Sequence, residues 1–215
     1  MLVKKWMSKN TITIGPNNTA IKALILLNEN NITRLPVVED GKLIGIVTER
    51  DLKRASFPSE TLKVKNVMTL NPVTVLWNYT ISEVAETLLK HNISGVPVTN
   101  AQGELIGIIT KDDLFRVLVT HTGVKEKGIL LALVVIDRSG AIKDITDIIR
   151  ANGGRMMSVL TNYNSAPKGY LKVYLRMYGI DRDKFHKMRE LIAKKATFLY
   201  WVDYRNNMRE IYRVA

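Results

Sequence analysis

Apolar and polar positions along the chain form short blocks whose period switches between two and three to four. Thr11–Ile14 alternates and is rich in β-branched residues until Gly15-Pro16 breaks it. After Asn18 and Thr19, either of which can cap a helix, Ile21, Leu24, Ile25 and Leu27 recur at helical spacing. Leu35–Val38 and Leu43–Val47 are apolar runs on either side of Glu39-Asp40-Gly41, which predicts a hairpin. Thr48 then opens a second helix. The same order returns as Val73–Leu76, a helix from Thr80 through Leu89, Val96–Val98, Leu105–Ile109, and a helix from Thr110.

The letters repeat as well as the pattern. NNITRLPVVEDGKLIGIVTERDL (Asn30–Leu52) answers HNISGVPVTNAQGELIGIITKDDL (His91–Leu114). Val3–Met7 matches Val64–Met68, Thr19 matches Thr80 and Pro36 matches Pro97, all at an offset of 61. From Gly41 and Gly103 onward the offset is 62, so one residue is inserted near Ala101. A tandem repeat of one βαββα unit is the first organising fact of the fold. A unit this small leaves apolar surface open, which two copies can cover by packing about a pseudo-two-fold axis.

After a linker, THTGVKEKG, the pattern changes. Ile129–Ile136 is a wholly apolar strand and Asp137-Arg138-Ser139-Gly140 a turn. Ile142, Ile145, Ile148 and Ile149 mark an amphipathic helix that Asn152-Gly153-Gly154 stops. Met156–Tyr163 and Tyr170–Tyr178 alternate like paired strands, Asp181 opens a helix bearing Phe185, Met188, Leu191 and Ile192, and Thr197–Val202 is a last strand. That order, βαββαβ, is the ferredoxin-like arrangement. The tail from Asn206 to Ala215 reads as a short extension, helical if ordered.

The doubled hxhPVV and GxhhGhhTxxDL pattern resembles a tandem cystathionine-β-synthase (CBS) domain pair, a Bateman module, over residues 1–121. The third block resembles an ACT domain, departing from that family at Ser139, where proline is usual. The expected fold class is therefore α+β, a CBS pair followed by a ferredoxin-like ACT domain. The expected boundaries are 1–60, 61–121, a linker at 122–127, 128–205 and an extension at 206–215. The combination resembles the acetoin-utilisation protein B type, which implies a role near acetoin or acetate metabolism.

Thr48-x-x-Asp51 and Thr110-x-x-Asp113 hold the candidate chemistry. Thr followed three residues later by an acid is a helix capping box in its own right, and Thr80-Ile-Ser-Glu83 is read as only that. In the other two the box follows a Gly-h-h strand, where free N–H groups suit phosphate and a carboxylate can accept ribose hydroxyls. Capping and ligand binding are compatible. The CBS resemblance implies a pocket completed by the partner repeat. One site joins Thr48 and Asp51 to Val73, Thr74, Ile93, Ser94 and Gly95; the other joins Thr110 and Asp113 to Ile12, Thr13, Ile32, Thr33 and Arg34. The second has in Arg34 a phosphate ligand where the first has only Gly95. The ACT resemblance implies an effector site, for an amino acid, at Asp137 and Gly140 with Asn152 and Gly153 of a dimer partner. Asp137 as a simple helix cap is the competing reading.

Composition narrows the function. Without cysteine, disulfides and thiolate metal sites are excluded. His91, His121 and His186 have no ligands at metal spacing, and no nucleophile elbow or P-loop is present, so neither a metal nor catalysis is expected. No apolar run approaches a membrane span and no signal-peptide core opens the chain, so a cytoplasmic location without membrane contact is expected. Residues 1–121 carry 14 Lys and Arg against 11 Asp and Glu, and residues 122–215 carry 18 against 9.

The reading is a non-enzymatic, homodimeric regulator that binds an adenine nucleotide (AMP, ADP, ATP or S-adenosylmethionine) as a regulatory ligand rather than a catalytic cofactor. The alternative is a nucleic-acid-binding regulator using Lys184, Lys187, Arg189, Lys194 and Lys195 with Tyr200 and Trp201.

Overall fold

The computed structural model describes residues 1–54 and 61–212, so the boundary expected at 60/61 and the last three tail positions lie outside the described residues. The chain forms two compact units, residues 1–117 and Leu118 onward, with the division inside a helix rather than in the expected linker.

The first unit holds the repeats. In copy one, α1 (Ala20–Glu29) starts at Thr19, whose Oγ1 accepts from the Lys22 N–H at 3.2 Å. β1 (Arg34–Glu39) and β2 (Lys42–Thr48) are antiparallel across a two-residue turn. Asp40 (φ 48°) and Gly41 (φ 78°) supply the two left-handed residues that such a tight hairpin needs. α2 (Glu49–Arg54) follows. Then come β3 (Thr69–Leu70), β4 (Val75–Leu76), α3 (Ile81–Lys90), β5 (Gly95–Thr99), β6 (Leu105–Thr110) and α4 (Lys111–Thr122). The strands predicted over Thr11–Ile14 and Val73–Leu76 are shorter than their alternation suggests. Only Ile14 pairs, by a single parallel bridge to Val37, and β4 runs parallel to β5 for two residues.

The lead-in of each copy is exchanged. The Val3 N–H donates to Tyr79 O at 2.8 Å, Ile81 N–H donates to Met1 O at 3.0 Å, and Ser8 pairs with Ile108 on β6. Val3 is thereby fully buried among Val75, Val84, Leu88, Val96 and Ile109, the core of copy two. Reciprocally, Ala20 N–H donates to Leu62 O, β3 extends the β1–β2 sheet, and Val64 is buried among Leu27, Leu35, Val37 and Val47 of copy one. Gly45 and Gly107 admit these segments, since a Cβ on either would stand 2.6 Å from the Sδ of Met68 or Met7. Burying a valine is worth about 1.5–3 kcal/mol, so each copy is completed by residues of the other.

In the second unit, β7 (Ile129–Ile136), α5 (Ala141–Ala151), β8 (Arg155–Asn162), β9 (Tyr170–Tyr178), α6 (Arg182–Ala193) and β10 (Thr197–Asp203) follow in order. The antiparallel sheet reads β11-β10-β7-β9-β8. Ile129, Leu131, Leu133, Leu175 and Met177 pack with Ile145 and Ile149 of α5 and Met188 and Ile192 of α6. The added strand, β11 (Met208–Ile211), corrects the helical expectation for the tail. Asn207, at φ 53°, reverses the chain, and Glu210 receives the Trp201 Nε1–H at 2.9 Å and pairs with Arg189 at 3.1 Å. Among the described residues no helix is long and apolar enough to cross a membrane.

Candidate functional site

The two Thr-x-x-Asp boxes have the same internal geometry. Thr110 N–H and Oγ1–H donate to Asp113 Oδ2 at 2.9 and 2.7 Å, and Asp113 N–H donates back to Thr110 Oγ1 at 3.4 Å. Thr48 and Asp51 repeat this at 2.9, 2.6 and 3.3 Å. Both are capping boxes, and the full capping box expected at Thr80 and Glu83 also forms. In each Thr-x-x-Asp box one carboxylate oxygen serves the cap. The other, Oδ1 of Asp113, accepts from Arg116 at 3.2 Å.

What separates the boxes from plain caps is the setting of the second one. A cavity of about 330 Å³ opens beside it, lined by both repeats. Copy two contributes Ile108, Thr110, Asp112, Asp113 and Arg116; copy one contributes Ile12, Ile32, Thr33, Arg34 and Pro36, with Ser8, Asn10 and Thr11 from its exchanged lead-in. Of the residues expected here, Thr110, Asp113, Ile12, Ile32, Thr33 and Arg34 are brought together. Thr13 is not, because alternation turns it to the exposed side. Asp113 is only 6% exposed whereas the Arg116 side chain is 75% exposed, so Arg116 can turn to solvent and leave Oδ1 as a buried acceptor that a ligand donor would fill. Arg116 adds to the expected set, and its position one helical turn after Asp113 is the signal that finds it.

Arg34 is committed differently from the expectation. Its guanidinium donates to Gly95 O at 3.0 Å, to Thr33 Oγ1 at 3.3 Å and to Ser94 Oγ. Burial pushes its pKa below the ordinary value, but a guanidinium stays charged at neutral pH. Arg34 and Gly95 are counterparts in the repeat, and the larger side chain fills the room the glycine leaves: a Cβ on Gly95 would stand 2.8 Å from Arg34 Nη1. Ser94 and Gly95, expected in the other site, are thus held by a residue of this one. Val73 and Ile93 pack against the copy-two core and Thr74 is exposed.

In the second unit, Asp137 does not cap α5. The cap position is Gly140 at φ 83°, without a side-chain bond, and Arg138 pairs with Asp144 at 2.5 Å across the turn. Asn152 closes the far end of the same helix, donating from Nδ2 to Ile148 O at 2.8 Å, with Gly153 at φ 86° behind it. Eleven residues of α-helix put these ends about 16 Å apart, so one chain does not assemble them. The aromatic and basic set proposed for nucleic acid loses two members: Trp201 is 6% exposed, edge-on to Phe185, and Arg189 stacks on Trp201 and pairs with Glu210.

Known proteins resemble the two repeats. The family described as CBS domain matches residues 3–57 and 64–120. A CBS domain-containing protein of Dictyostelium discoideum is 41% identical over 133 residues, 55% of this chain and 92% of its own length. An inosine-5'-monophosphate dehydrogenase of Korarchaeum cryptofilum is 36% identical over 52% of this chain, which spans only 23% of that enzyme. Among solved structures, a CBS domain pair in complex with 5'-methylthioadenosine and S-adenosyl-L-methionine matches at TM-score 0.52 and 35% identity, covering 59% of this chain and 98% of its own. A CBS-pair protein of Arabidopsis thaliana, in complex with AMP, matches at TM-score 0.51 and 27% identity, over 58% of this chain and 98% of its own.

Proposed function

The chain belongs to the CBS-domain family, and from that premise we propose that it is a non-enzymatic sensor of an adenine nucleotide or S-adenosyl compound, bound in the cavity at Thr110 and Asp113. The observation that carries this is the two-repeat lining of that cavity: an acidic helix start from copy two faces apolar and cationic groups of copy one. Ile12, Ile32 and Ile108 offer apolar walls for a base. Asp113 Oδ1 accepts a ribose hydroxyl once Arg116 swings away, and Arg116 then meets phosphate from its exposed position. Thr48, Asp51, Val73, Thr74, Ile93, Ser94 and Gly95 form the second, related seat, in which Arg34 already occupies part of the room.

A ligand gripping both repeats favours the placement of the repeats that it fits best. It regulates only through that difference in affinity. The second unit we read as an ACT-type module in a homodimer. Its βαββαβ order supports this, as does the wide separation of Asp137–Gly140 from Asn152–Gly153, which a second chain would bridge. The acetoin-utilisation label rests on domain order alone.

Calorimetry with AMP, ADP, ATP and S-adenosylmethionine tests the proposal. We expect saturable binding of at least one, weakened about tenfold or more in Asp113→Asn, which keeps the cap but lacks the charged acceptor. Unchanged affinity in that variant removes the ribose role, and no binding by any of the four removes the sensor.

A further inference from the structure

The sheet of the second unit has two faces, and the helices α5 and α6 cover one of them. On the other face lies Arg176, in the middle of β9 and only 4% exposed. Its Nη1 is buried and has no hydrogen-bond partner among the described residues, and none of the ion pairs of this unit involves it. The guanidinium rests on the ring of Tyr204 at 4.6 Å, a contact that answers little of the charge. Arg205 nearby shows how a half-buried arginine is ordinarily satisfied: Asp203 accepts from its Nε at 2.9 Å and its Nη2 at 2.7 Å.

Arg176 lines a cavity of about 290 Å³. Leu118 and Val124, from the end of α4 and the turn after it, form one wall; Leu130, Leu160 and Tyr174 of the sheet form the other. The wall is fixed in place. Ser158 Oγ donates to Thr122 O at 3.1 Å, and Gly123, at φ 67°, leaves no room for a Cβ against Met157 Sδ. A buried charge without a partner is costly, and an anion is what would complete it. The walls decide what else the ligand carries. Apart from Arg176 they offer only the hydroxyls of Thr122, Ser158 and Tyr174, too few for the sugar and base of a nucleotide.

We propose that this cavity binds a small organic acid, a monocarboxylate with an apolar aliphatic or aromatic body, with its carboxylate on Arg176. The site is separate from the nucleotide cavity and from the Asp137–Gly140 turn, and does not depend on the reading of either.

Octanoate and its uncharged counterpart octanamide, titrated into the full chain by calorimetry, test this. Octanoate is expected to bind saturably and octanamide about tenfold or more weakly, since the charge-assisted hydrogen bond is what separates them. Arg176→Met, which keeps the length and apolar bulk, is expected to abolish the preference while leaving AMP binding as in the parent. Equal binding of the two ligands overturns the proposal, as does octanoate binding retained in Arg176→Met, or no saturable octanoate binding at millimolar concentration. If Arg176→Met fails to fold, the ligand pair on the parent protein still decides.

Discussion

At the scale of single residues, the second Thr-x-x-Asp box shows one carboxylate with two uses. Oδ2 of Asp113 closes the start of α4 while Oδ1 faces Arg116. The two uses separate by substitution. Asp113→Ala removes both, so it should lower stability by about 1 kcal/mol in denaturant unfolding and lose nucleotide binding as well. Arg116→Ala should lower stability by about 1 kcal/mol or less, since the arginine of this pair is solvent-exposed although Asp113 is buried. In calorimetry it should weaken AMP about tenfold or more relative to 5'-methylthioadenosine, which has no phosphate. Gly95→Ala probes the other repeat difference. Its new Cβ would stand 2.8 Å from Arg34 Nη1 and 3.1 Å from Thr110 Cγ2, so the Arg34 guanidinium must shift. The expected result is a change in nucleotide affinity at the Thr110 cavity from a substitution outside its lining.

At the scale of elements, β10 and the turn to β11 depend on an acid. Burial pushes the Asp203 carboxyl up, but hydrogen bonds and charge from Arg205 outweigh this and hold it below its ordinary value. A carboxyl lowered in the folded state contributes stability that is complete above the unfolded value, about 3.9, and is lost as pH falls through the folded one. The stability of Asp203→Asn, measured by unfolding between neutral and strongly acid pH, should therefore be lower at pH 7 and fall less steeply below about pH 4. Elements of this kind were unevenly legible. Asp40-Gly41 announced its hairpin because two adjacent left-handed residues have few other uses, and Thr80-x-x-Glu83 announced its cap. β11 was missed because four exposed residues carry no burial pattern, and its reason for pairing, Glu210 reaching Trp201 and Arg189, lies well away in sequence. Thr11–Ile14 was overread, since alternation reports which side chains are buried rather than how far a ladder runs. The cavity was legible as six of its residues; Arg116 was not, though it sits one turn after Asp113 on the same helix, and neither were Ser8, Asn10 and Thr11, which follow from the exchanged lead-in.

At the scale of the whole molecule, that exchange sets how stability is distributed. Val3 lies outside every element of copy two in sequence, yet Val3→Ala should destabilise by about 2 kcal/mol in denaturant unfolding, as should Val64→Ala in copy one. Deleting residues 1–8 should cost far more than the trimming of a terminus ordinarily does, read as a lower midpoint in thermal unfolding. Nucleotide should raise stability by mass action, by about 2.7 kcal/mol at a hundredfold excess over its Kd.

The reciprocal lead-ins also bear on where such a molecule can be divided. A cut between Lys53 and Leu62 would separate two stretches that each still carry the other's missing segment, so the products should remain together under native conditions and part only on denaturation. By the same logic, one stretch expressed alone would find its complement only in a twin of itself. The pair is, in effect, two like units that each supply what the other lacks, and they differ at single positions such as Arg34 and Gly95.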